Sequence, residues 1–130
     1  MSIPYVYDVG ALIAVDSNDR RMWTVHHLAI EEGRRLLVPA PVVGQAWRDP
    51  RRQVQLGTFI YSCEVVPVGF ELAKAAGVLC GKAGTGDIVD ALVVTIALAQ
   101  GAIVFTSDPD DIAHLSNSAD VKPGLILRTV

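Results

Sequence analysis

Compact apolar runs alternate along this chain with longer stretches whose apolar positions recur every three or four residues. "IPYVYD" (3–8), "RLLVPA" (35–40), "CEVVPV" (63–68), "AIVFTS" (102–107) and "LILRTV" (125–130) read as short strands. A short helix, "VGALIAVDS", follows the first of them, and residues 20–33 form a second helix with a charged outer face. Pro41 suits the first turn of a helix through "PVVGQAWRD", and "RRQVQLGTFIYS" continues as another. "ELAKAAGVLCGKA" is alanine-rich and helical, "GTG" (84–86) is a break, and "DPDDIAHLSN" is a short helix. "DIVDALVVTIALAQG" is apolar on nearly every side, which predicts a central, buried helix.

Strands alternating with helices predict an α/β layered fold, a mostly parallel central sheet flanked by helices, with right-handed crossovers. No repeat or linker divides the chain, so residues 1–130 are expected to form a single domain. In such folds ligands sit outside the carboxyl ends of the strands. Any residue with chemistry to do is therefore sought there.

Composition narrows the classes. Half the residues are hydrophobic (51%) and 19% are charged, which fits a globular chain and excludes a disordered one. A net charge of −3 argues against coating nucleic acid by bulk electrostatics, while leaving room for a local basic patch. Cys63 and Cys80 form no CxxC pair and have no neighbouring histidines, which suggests a reducing, cytoplasmic setting. His26, His27 and His114 have no zinc-site spacing. The N-terminus lacks a basic leader region, and "ALVVTIALAQGAIVF" is interrupted by Gln100 and Gly101, so neither a signal peptide nor a membrane span is expected.

The aspartates stand out. Asp108, Pro109, Asp110 and Asp111 make a good helix start, and Asp87 with Asp90 three residues on has the same form. Yet Asp90 leans into a buried stripe, where a carboxylate is costly unless paired, protonated or bound to a cation. Asp8 closes the first strand among apolar residues, where capping of the short helix that follows is an alternative role. In a parallel sheet Asp8 and Asp108, each ending a strand, share one edge, and Asp90 reaches the same edge from its helix. Three carboxylates there without a basic neighbour raise one another's pKa, a conflict that a hard divalent cation removes. Oxygen-only ligands suit Mg²⁺ or Mn²⁺ rather than zinc.

Taken together, "YDVGALIA", "PAPVVGQAWR", "DIVDALVVTIA" and "VFTSDPDDI" resemble the PIN-domain ribonucleases, most closely the VapC-type toxins of toxin–antitoxin pairs. The resemblance covers nearly the whole chain and rests on the order and spacing of the motifs. It implies a three-layer PIN-like fold, hydrolysis of RNA phosphodiesters, a Mg²⁺ or Mn²⁺ cofactor, a small cognate antitoxin partner and a homodimer. Carried over, the catalytic metal-binding acids are Asp8, Asp90 and Asp108. Asp111 is a further acid of the last motif and Asp87 assists through water. One position departs: Gln45 stands where the family usually offers a glutamate, which implies weaker cation binding. The alternative is therefore a PIN module of low or no activity that acts by binding RNA or a protein.

Within the nuclease reading, Thr106 or Ser107 would donate a hydrogen bond to the scissile phosphate. Arg48, Arg51 and Arg52, close after Gln45, would contact RNA phosphates. Arg20, Arg21, Arg34 and Arg35 read as plain surface, and Trp23 and Trp47 as packing residues. Two rivals fail on residues: "GVLCGKAGTGD" lacks the spacing and the hydroxyl of a Walker A loop, with Ala83 where Ser or Thr belongs. An aspartyl phosphatase would want an acid at position 10, where Gly10 stands.

Overall fold

Five strands, β1 (Tyr5–Tyr7), β2 (Leu36–Pro39), β3 (Glu64–Val66), β4 (Ile103–Thr106) and β5 (Ile126–Thr129), form one sheet in the order β3-β2-β1-β4-β5. All four pairings are parallel. The computed structural model describes residues 2–130. Every residue of the inner strands β1, β2 and β4 is buried, which explains their unbroken apolar runs, whereas the edge strands β3 and β5 carry exposed Glu64 and Arg128.

Seven helices connect the strands among the described residues: α1 (Val9–Asp16), α2 (Arg20–Glu31), α3 (Ala40–Ala46), α4 (Val54–Tyr61), α5 (Phe70–Ala83), α6 (Ile88–Gln100) and α7 (Pro109–Ser118). As its all-round hydrophobicity predicts, α6 buries Ala91, Leu92, Val93, Val94, Ile96 and Ala97 and lies against β1, β2 and β4, with α5 and α7 packed on it. The other group centres on α1, which packs on α2, α3 and α4. No single helix among the described residues is long and apolar enough to cross a membrane.

Two boundaries differ from the sequence reading. Helix α4 starts at Val54, because residues 47–53 form a turn that the Gln53 side chain organises. Its carbonyl accepts from the N–H groups of Arg48 (2.7 Å) and Asp49 (2.9 Å), and its amide donates to Ala46 O (2.9 Å) and Asp16 Oδ2 (3.1 Å). The strands are also shorter than read, since the flanking residues turn into caps.

Strand order fixes where a site belongs. From β1 the chain builds outward through β2 and β3, then crosses to the other side of β1 for β4 and β5. The reversal point lies between β1 and β4, where diverging connections leave a crevice above the carboxyl ends. Asp8 follows β1 and Asp108 lies just beyond β4.

A polar chain runs from the core beneath, at Tyr7 and His26, out to the surface at Ser62. Ser62 Oγ–H donates to Phe59 O (2.6 Å), so it must accept from His26 Nε2–H (2.6 Å). That leaves His26 Nδ1 to accept from Tyr7 O–H (3.0 Å). Burial lowers the His26 pKa from 6.5 to about 4, helped by the charge of His27. The unfolded chain takes up a proton near 6.5 and the folded one only near 4, so this contribution is intact above pH 6.5 and lost as pH falls toward 4. The loss at the acid end is on the order of 3 kcal/mol. Urea titrations of the natural protein and of His26→Gln at pH 7 and pH 4.5 check this: the natural protein should weaken more on acidification than the variant. Trp23 packs edge-on to Phe59 and stacks on His27, the packing role expected of it.

Candidate metal centre

Asp8 is 2% exposed, and two hydrogen bonds fix its carboxylate. Oδ1 accepts from Val9 N–H (2.7 Å), capping α1, and Oδ2 accepts from the hydroxyl of Thr106 (2.8 Å). The Asp8 N–H donates to Phe105 O (2.9 Å), so the end of β1 is sewn to the end of β4. Thr106, itself fully buried, also accepts from Asp108 N–H (2.9 Å). One hydroxyl thus sets both the Asp8 carboxylate and the backbone of Asp108.

Gly10 permits this approach. A Cβ there would fall 2.7 Å from the Ser107 backbone nitrogen and collide with the Ser107 side chain. Any larger residue pushes the segment carrying Asp108 away from α1.

Capping explains less of the aspartate pattern than the sequence allows. Asp108 occupies the N-cap position of α7, but its side chain makes no capping hydrogen bond and is exposed. Asp87 does cap α6, accepting from Asp90 N–H (3.0 Å). In a full capping box the Asp90 carboxylate would accept from Asp87 N–H in return. Thr85 Oγ1 takes that N–H instead (3.2 Å), which leaves the Asp90 carboxylate outside the cap.

Electrostatics link these acids. Burial raises the Asp8 pKa above its ordinary 3.8, offset in part by the bonds from Thr106 and Val9, and Asp108 and Asp87 raise it further. Asp90 is half-buried and pushed up to about 7, by burial first and then by the carboxylates of Asp8, Asp87 and Asp108. No Lys or Arg forms an ion pair with any of them among the described residues. Asp111 lines a small cavity of ≈ 100 Å³ with Asp87, Asp90 and His114, whose Nε2–H donates to Ala83 O (2.7 Å).

The structure therefore brings Asp8, Asp87, Asp90 and Asp108 within electrostatic reach at one sheet edge, with Asp111 beside Asp90. The gathering is looser than a finished ligand set: among the described residues no three His, Cys, Asp or Glu side chains converge tightly enough to hold an ion as they stand. Like charges that nothing neutralises keep such groups apart. The donor chemistry, all carboxylate oxygen at a crevice, fits a hard divalent cation and no soft one.

Other expected site residues fall differently. Thr106 commits its only proton to Asp8, so it positions a carboxylate and does not reach a phosphate. Ser107 is exposed beside Gly10. Gln45 is exposed on α3, and no hydrogen bond holds its side chain among the described residues. Arg48 is turned back onto α3, donating to Gly44 O (2.9 Å) and Trp47 O (2.7 Å). Arg51 and Arg52 pair loosely with Asp49 (3.7 and 3.9 Å). Their loop is tied by Gln53 to Asp16, at the end of α1 away from Asp8, so nearness to Gln45 in sequence does not carry them to the acidic edge. Sequence reasoning missed Gly10 as a spacer, Gln53 and Thr85. Only Gly10, two residues after an acid that ends a strand, left a readable signal.

Residues 5–117 match the PIN domain family. The chain is a member of that family. No curated protein sequence matches it. Among solved structures, this PIN domain superposes on VapBC2 from Rickettsia felis bound to a DNA fragment from its promoter, with a TM-score of 0.71, 16% identity, and coverage of 98% of this chain and 99% of that one. DNA-bound VapBC from Salmonella typhimurium gives 0.68 at 15% identity, covering 98% of each chain. The protein PAE2754 of Pyrobaculum aerophilum gives 0.62 at 18%, covering 98% and 92%. At these identities the likeness is one of fold, and the PIN domain shares their parallel sheet flanked by helices.

Proposed function

We propose that this PIN domain is a Mg²⁺- or Mn²⁺-dependent endoribonuclease, the toxin of a toxin–antitoxin pair. The observation that carries the reading is Asp90, whose proton is held up to about 7 by burial and three neighbouring carboxylates, at the crevice where the strand order reverses. Family membership and the fold shared with VapBC complexes support an antitoxin partner. The free thiols Cys63 and Cys80 agree with a reducing cytoplasm. A homodimer follows the family resemblance.

Asp8, Asp90 and Asp108 would hold the cation, with Asp111 and Asp87 reaching it through water. A bound cation of this kind supplies an activated water and charge neutralisation at a phosphoryl oxygen. The chain's own groups do the rest. Thr106 and Val9 hold Asp8 in one rotamer. Asp90, which is charged once the cation displaces its proton, would ligate the cation or orient the attacking water through a carboxylate oxygen. Asp108, exposed and free of capping duty, faces the substrate side, where the Ser107 hydroxyl is left to donate to a phosphate oxygen.

The test is direct: pure protein and a structured RNA, with Mg²⁺, with Mn²⁺ and with EDTA. Cleavage is expected with either metal, absent in EDTA, and absent in Asp8→Asn; metal-independent cleavage would contradict the reading.

Gln45 favours a second reading, a module that binds without cutting. Restoring the acid separates them. Gln45→Glu is expected to tighten Mn²⁺ binding on the order of tenfold by calorimetry. No gain would remove Gln45 from the metal's surroundings.

A further inference from the structure

The acidic edge poses a problem for a nuclease, because its carboxylates repel the phosphates it must approach. Cations have to be supplied from elsewhere on the surface. Of the eight arginines, Arg34, Arg35, Arg51 and Arg52 are paired with carboxylates, and Arg48 is bound to carbonyls. Arg20, Arg21 and Arg128 are not: among the described residues none of the three forms an ion pair, and Arg21 and Arg128 line one cleft of ≈ 190 Å³. In sequence alone Arg21 reads as plain surface.

We propose that this cleft, between the first half of α2 and the carboxyl ends of β4 and β5, is a phosphate-binding subsite for the RNA strand. Arg21 and Arg128 would take backbone phosphates next to the one held at the carboxylates. The proposal rests on the nuclease reading and adds where the substrate lies.

Three features argue for it. The first is position. In the β4–β5 register Arg128 stands opposite Phe105 and Thr129 opposite Thr106. Val130 N–H donates to Thr106 O (2.9 Å), and the Thr106 hydroxyl donates to Asp8 (2.8 Å), so one residue separates the rim of the cleft from the candidate metal centre. The second is uncompensated charge. The one acidic side chain lining the cleft, Asp19, accepts from Met22 N–H (3.1 Å) as the cap of α2, and among the described residues neither guanidinium forms an ion pair with a carboxylate. The third is the wall behind the arginines. Met22, Val25 and Phe105 line the cleft, and an apolar backing lowers the local dielectric and strengthens charge-assisted bonds to an anion. Two guanidinium forks at a small cleft suit single phosphates of a flexible strand.

The experiment uses the full chain. Fluorescence anisotropy follows a labelled single-stranded RNA in EDTA across a salt series, and cleavage kinetics are taken in Mn²⁺. The combined variant Arg21→Gln/Arg128→Gln should bind RNA on the order of tenfold more weakly at low salt, with a salt slope shallower by about 1.4. Its KM should rise with kcat unchanged, and its Mn²⁺ binding by calorimetry should match the natural protein. Arg51→Gln/Arg52→Gln should change none of these. Arg21→Lys/Arg128→Lys, which keeps charge and loses the fork, should retain the salt slope and lose part of the affinity; thermal melts confirm that each variant is folded.

An unchanged affinity and slope in the glutamine pair would overturn the subsite, whether or not the protein cleaves RNA. So would a polyaspartate peptide that binds as tightly as RNA and is released by the same two substitutions, since the cleft would then serve a protein tail. RNA binding that depends on both arginines in a protein that cuts no RNA would uphold the subsite and reject the nuclease reading.

Discussion

Asp90→Asn is expected to abolish metal-dependent RNA cleavage and, at pH 8, to make the protein more stable. The two effects have one cause. Asp90 is pushed from 3.8 to about 7 by burial and by the carboxylates of Asp8, Asp87 and Asp108. The unfolded chain loses this proton near 3.8 and the folded chain keeps it to about 7. The residue's contribution is therefore greatest below pH 3.8 and is lost as pH rises through 7. Asparagine has no charge to bury. Allowing for solvent around a half-buried group, the gain at pH 8 is on the order of 1–2 kcal/mol. Removing one fixed electrostatic group from such a centre costs about 10²–10³-fold in rate. Urea titrations at pH 5 and pH 8, with single-turnover cleavage in Mn²⁺, read both quantities. A variant that loses activity and also loses stability at pH 8 would mean that Asp90 is chiefly a structural residue.

Thr106→Val is expected to be nearly as damaging to activity while preserving shape. The substitution removes the donor to Asp8 Oδ2 and the acceptor for Asp108 N–H, and leaves the buried Asp8 carboxylate short of a partner. Orphaning the buried Asp8 oxygen costs about 1–3 kcal/mol. The bond from Thr106 is also the largest influence holding the Asp8 pKa down against burial. Without it Asp8 loses its proton at higher pH, so the acid limb of the pH–rate profile should move upward. Thr106→Ser keeps the hydroxyl and should restore both the profile and most of the stability. A shift of the profile in both variants alike would detach Thr106 from Asp8.

Much of this arrangement was legible in the residues. The alternation of apolar runs and helical spacing placed Asp8 and Asp108 at one edge, because in a parallel sheet every strand ends on the same side. The buried stripe after Asp90 marks its carboxylate as unusual in the sequence alone. What escaped were the contacts that sequence distance hides. The partner of Thr106 lies 98 residues away, so its hydroxyl read as a substrate donor when it is a fixture of Asp8. Gln53 carried no signal at all, yet its four hydrogen bonds turn residues 47–53 and take Arg51 and Arg52 away from the acidic edge. Arg21 and Arg128, 107 positions apart in the chain, share a cleft only because β5 pairs with β4 next to α2.

The central claim, that Asp8, Asp90 and Asp108 serve one shared divalent cation, is tested most directly by isothermal titration of Mn²⁺ between pH 6 and pH 8.5. The account predicts one site lost or weakened at least tenfold in each of Asp8→Asn, Asp90→Asn and Asp108→Asn. It further predicts an affinity that climbs toward tenfold per pH unit below about 7 and levels off above, as the proton on Asp90 is displaced. Mn²⁺ binding that is absent, indifferent to pH, or equal in the three variants and the natural protein would contradict it.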